Sequence, residues 1–177
     1  MKSKLISISS ISAGLTALFL TVGAYFEVVD LFMVVVTSVF VVLPLYFKSY
    51  KACFLTYLAG GILAFLLSGF NVFSVVFPAY FGFFGLYPII RIFMQEKKVK
   101  KLVIYVIGVI WCIASIFGIY FLYLNLIPEF LYGLPEWVVN NIYYIVGFLG
   151  VALYFLFDAS VINMRRFTDR YLSRIIK

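Results

Sequence analysis

Apolar residues fill six long stretches of this chain, and the polar residues gather in the short breaks between them. Each stretch is close to the ~20 residues that a helix needs to cross the hydrocarbon of a bilayer. The pattern predicts helices over 5–26, 31–47, 52–69, 74–94, 102–124 and 138–164. A basic, amphipathic tail over 165–177 is expected to lie along the inner leaflet, where anionic lipid attracts cations. The connections are short, apart from an external loop over 125–137 punctuated by Pro128 and Pro135. The expected fold is all-α: a compact, polytopic bundle of six transmembrane helices forming one membrane domain over 1–177. The first stretch, ending in Val22-Gly23-Ala24, imitates a secretory signal. It is longer than the usual apolar region of one and carries a packing pattern, so it is read as a true helix.

Composition agrees with the pattern. The chain is 66% hydrophobic and 12% charged, with a mean hydropathy of +1.14, which leaves too little polar surface for a water-soluble exterior. Charge then orients it. The 14 Lys and Arg residues fall at the chain ends, around Lys48 and Lys51, and in the run Arg91–Lys101. Glu27, Asp30, Glu129 and Glu136 mark the other side. A Lys/Arg bias in short loops places the basic side in the cytoplasm, and both termini with it. The net charge of +7 is therefore a topology signal and no indication of nucleic acid as a partner; the expected surroundings are the bilayer of a bacterial cytoplasmic membrane.

In lipid, helices associate by close packing, so small residues at four-residue spacing mark contact faces. The third stretch carries Ala52, Thr56, Gly60, Ala64 and Ser68, read as internal packing. The first carries Ser9, Ala13 and Ala17, with Ser10 and Gly14 alongside; this stripe suits internal packing or docking of another membrane protein equally well. Cys53 and Cys112 read as small buried residues, not as a disulfide.

Catalytic chemistry is not visible. The chain has no His, no paired carboxylates, no phosphate-cradling Gly loop and no Lys placed for covalent work, so no enzyme activity, metal or cofactor is expected. Asp158, the one intramembrane carboxylate, is expected to pair with Arg165 and Arg166 near the cytoplasmic end.

Polar and aromatic residues converge instead on the external half. Asn140, Tyr143, Tyr144 and Gly147 share a helical face, and Tyr120 and Tyr123 are neighbours on the fifth helix. The fourth helix adds Phe77, Tyr80, Phe81 and Phe84 around Pro78 and Gly82, where a kink opens space. Glu27, Asp30, Asn71, Glu129, Glu136 and Trp137 sit in loops above. Interface belts and helix caps account for these residues singly. As a group, Tyr80, Phe84, Tyr120, Tyr123, Asn140, Tyr143, Tyr144, Glu27 and Asn71 are the candidate ligand-binding set. Aromatic faces beside acids favour a neutral or cationic small molecule.

Six spans in a chain of this length, both termini inside, a longer fifth loop and Ala13-Gly14-Leu15-Thr16-Ala17 on the first helix resemble the substrate-binding S components of energy-coupling factor (ECF) vitamin transporters. The resemblance implies capture of a trace nutrient by the outer parts of helices 4 to 6. It also implies docking, through Ser9, Ala13 and Ala17, on a transmembrane coupling subunit driven by separate ATPase subunits. The alternative is a non-catalytic membrane scaffold similar in plan to MreD, with the basic tail and the Gln95–Lys101 link contacting partners or lipid.

Overall fold

A computed structural model of the protein describes residues 2–26, 28–126 and 135–175. Among them the structure is helical, and six helices are long and apolar enough to cross a membrane. Helix α1 is Lys2–Tyr25. Helix α2, Asp30–Val42, tightens into a 3-10 turn over Leu43–Phe47 where Pro44 enters. Helix α3 is Tyr50–Leu67. The fourth span is built from α4, Val76–Ala79, a π-helical turn over Tyr80–Phe84, and α5, Tyr87–Glu96. Helix α6 is Lys101–Leu126, α7 is the short Glu136–Asn140, and α8 is Ile142–Ile175.

Helix ends follow local chemistry. The Ser49 hydroxyl accepts the Ala52 N–H at 3.3 Å and so caps α3. That helix closes at Gly69, whose φ of +68° lets Phe70 N–H reach Phe65 O at 3.0 Å and Gly69 N–H reach Leu66 O at 3.1 Å. The Phe65 and Phe70 rings then meet edge to face at 5.3 Å, the apolar contact that accompanies this type of cap.

Besides the break at Asn141, which divides the expected 138–164 helix between α7 and α8, two features depart from the expected spans. The fourth helix is not simply kinked at Pro78 but carries the π turn. There Gly85 N–H bonds back five residues to Tyr80 O at 2.9 Å, which withdraws it from Phe81 O. The Tyr57 hydroxyl fills that gap, donating to Phe81 O at 3.0 Å. Trp111 Nε1 at 2.9 Å and Ser115 Oγ at 3.3 Å donate to Gly82 O. Side chains of α3 and α6 thus satisfy backbone that would otherwise be orphaned in an apolar interior. The second departure is at the C-terminus. No Gly or Pro follows Gly150, and α8 runs without interruption through the expected tail to Ile175.

Helix α1 packs mainly on α2 and α3, and α6 packs on α8. The α1–α3 contact is close because Gly60 has no side chain: a Cβ there would lie 2.6 Å from Thr16 Cγ2. Ala13 and Ala17 are buried in the protein's own bundle. The side of α1 that faces outward carries Ser10, Ile11, Gly14 and Leu18. Outward residues elsewhere are large and apolar, among them Leu55, Leu102, Ile110 and Phe148. Such an exterior is suited to hydrocarbon and not to water.

Candidate functional site

A cavity of about 660 Å³ opens at the end of the bundle away from the basic turns. Gly23 and Ala24 of α1 and Asp30 of α2 line one side. Asn71, Phe73, Ser74 and Val75 approach from the link between α3 and α4. The opposite wall is aliphatic, with Ile116 and Ile119 of α6 facing Ile142, Ile145 and Val146 of α8, and Tyr120 and Tyr123 complete it. Its size lies within the range of small-molecule sites, as does the combination of apolar walls with a few polar groups. Tyr123 is held in place by its hydroxyl, which donates to Phe73 O at 2.6 Å. The Asn71 side chain accepts Phe73 N–H at 3.2 Å, so the link that carries both residues is braced from two sides.

The candidate set divides on this geometry. Asn71, Tyr120 and Tyr123 line the cavity. Tyr80 and Phe84 are buried elsewhere in the core: the Tyr80 hydroxyl donates to Tyr57 O at 3.0 Å, and Phe84 packs against Phe157 at 4.7 Å between centroids. Asn140, Tyr143 and Tyr144 do not line the cavity. Asn141 separates α7 from α8, and the face that α8 turns inward is that of Ile142, Ile145 and Val146. Tyr144 is left 80% exposed and Tyr143 stacks on Phe117 at 6.0 Å. Glu27 and Glu129 lie outside the described residues. The lining residues outside the candidate set include the aliphatic wall and the side formed by Gly23 and Ala24. Neither has a signature that distinguishes it from ordinary packing.

A second polar cluster lies near the basic end. Asp158 of α8 does not pair with Arg165; its carboxylate meets Arg91 of α5, Nε to Oδ1 at 2.6 Å and Nη2 to Oδ2 at 3.3 Å. Both residues are buried, so Arg91 belongs to the core and not to the aqueous link with which its basic neighbours group it. The Tyr87 hydroxyl donates to Asp158 Oδ1 at 2.5 Å and lies 3.0 Å from the Tyr154 hydroxyl. The Tyr105 ring lies under the guanidinium at 5.8 Å. Arg165 instead binds Glu96 Oε1 at 2.8 Å, and Glu96 also accepts the Tyr50 hydroxyl. The spacing held a signal: Phe84, Tyr87 and Arg91 share one helical stripe, Tyr154 and Asp158 another. Arg91 was masked by being first in a run of five cations.

Compared with known proteins, the chain matches no family model, no curated protein and no solved structure.

Proposed function

We propose that this chain is a membrane-embedded capture subunit of a bacterial importer, of the kind the ECF S components exemplify. It takes a neutral or cationic small molecule into the cavity from outside and passes it inward with a coupling subunit and separate ATPases. The basic end and both termini face the cytoplasm. The observation that carries this reading is the cavity itself, a ligand-sized space at the acid-bearing end of the bundle that Asn71, Tyr120 and Tyr123 help to line. With Ala13 and Ala17 buried against the chain's own helices, the coupling subunit must meet another surface.

The scaffold reading draws on a different observation. The unbroken α8 continues the helix through Arg165, Arg166, Arg170 and Arg174 as far as Ile175, a suitable handle for a cytoplasmic partner.

Native mass spectrometry of the purified protein separates the two. A stoichiometric small molecule released from the wild type, and absent when Ile119→Trp fills the cavity, supports capture. A protein that stays empty after incubation with a vitamin panel sinks the importer reading and leaves the scaffold.

A further inference from the structure

We infer that the cavity takes an organic monocation with an apolar body, and that the Asp30 carboxylate is its counter-ion. This rests on the capture reading and narrows it from neutral or cationic cargo to one charge class. Asp30 is the charged residue among those lining the cavity. It stands half-buried in the first turn of α2, with its Oδ1 accepting the Leu31 N–H. No Lys or Arg occurs in 5–47, 52–90 or 102–164, so every segment that lines the cavity is free of cations. A carboxylate in an apolar-walled space without a basic neighbour attracts a cation more strongly than it would in water, and repels an anion equally.

The remaining lining groups point the same way. Tyr120 and Tyr123 present aromatic rings, which attract an ammonium group through their faces. The Tyr123 hydroxyl hydrogen is given to Phe73 O, so that side chain adds no donor for an anion. Asn71 and Ser74 are neutral and cannot outweigh the carboxylate. The wall formed by Ile116, Ile119, Ile142 and Ile145 suits an apolar body. A divalent metal is a poor fit: among the described residues no three His, Cys, Asp or Glu side chains come together. A hydrophilic polycation would leave charge against the aliphatic wall.

The test uses two ions of nearly equal size and apolar surface but opposite charge, tetraphenylphosphonium and tetraphenylborate. Binding of each is measured by equilibrium dialysis against nanodiscs holding the full chain, with empty nanodiscs subtracted. Three proteins are compared: wild type, Asp30→Asn, which keeps the shape and the Leu31 bond, and Ile119→Trp, which fills the cavity. The expected result is saturable binding of the phosphonium to wild type, weakened at least tenfold by Asp30→Asn and abolished by Ile119→Trp. Tetraphenylborate shows no saturable binding to wild type. If the phosphonium binds wild type and Asp30→Asn equally, and Ile119→Trp removes it, the counter-ion assignment is overturned while the capture cavity stands. If borate binds as well as phosphonium, the charge class is overturned. If neither ion binds saturably, the cation site falls; a wild type that also releases no small molecule in native mass spectrometry takes the capture reading with it.

Discussion

Asp158 shows how far one residue's meaning depends on its partner. A carboxylate buried in an apolar bundle costs several kcal/mol in lost hydration unless it is paired and hydrogen-bonded. Here Arg91 meets it through two nitrogens and Tyr87 adds a third bond. Removing one partner strands the other charge. Asp158→Ala is therefore expected to destabilise the protein by about 3–5 kcal/mol, read as a fall in the midpoint of thermal unfolding in detergent. The paired change Arg91→Met with Asp158→Leu, which removes both charges, should recover most of that loss. An equal fall in single and paired variants would mean the cluster is not acting as an ion pair. Glycine gives a second residue-scale contrast on one helix. A Cβ at Gly108 would lie 2.4 Å from the Tyr154 ring, the ring that supports Tyr87, whereas nothing lies within 4 Å of one at Gly118. Gly108→Ala should lower the unfolding midpoint. Gly118→Ala should leave it unchanged or raise it slightly, since a mid-helix Gly costs about 0.5–1 kcal/mol relative to Ala.

At the scale of elements, the first helix is the clearest revision. Its small-residue stripe is equally suited to internal packing and to an external partner, and the structure directs it inward, where Ala13 and Ala17 are buried beside α3. The orphaned hydroxyls of Ser12 and Thr16 share that buried side, so α1 gives up hydrogen bonds for close approach. Ala17→Leu is accordingly expected to disrupt the fold, with loss of a sharp peak in size-exclusion chromatography and of any bound small molecule. Gly14→Leu, on the outward side, should preserve both. A docking role for Ala17 requires the opposite pattern, an intact and ligand-loaded Ala17→Leu protein that only fails to bind its partner. The π turn teaches the same lesson. Pro78 and Gly82 announce an irregular helix, but the form it takes depends on Tyr57, Trp111 and Ser115 being present to donate hydrogen bonds to the released carbonyls.

For the whole molecule, the distribution of charge predicts sidedness. Lys98 lies in the basic link after α5, and Asn140 is the last residue of α7, at the cavity end. Both are exposed, while the native Cys53 and Cys112 are buried. A cysteine introduced at Asn140 should react with a membrane-impermeant maleimide added to intact cells, and one at Lys98 only after the cells are opened. Labelling of Lys98→Cys from outside would invert the proposed orientation, and with it the side from which the cavity fills.

Local information and assembled information divide along a physical line. The six spans, their approximate limits and the separation of basic from acidic breaks follow from the sequence alone, because solvation in hydrocarbon acts on each segment's composition whatever its neighbours are. So does the irregularity of the fourth helix, which Pro and Gly impose locally. The tertiary structure decided which tyrosines line a cavity and which fill the core, which of several cations Asp158 meets, and which side of α1 is used. Those outcomes depend on the rotation of one helix against another. A turn of about 100° per residue carries a side chain from cavity to exterior without any change in the pattern that predicts the helix.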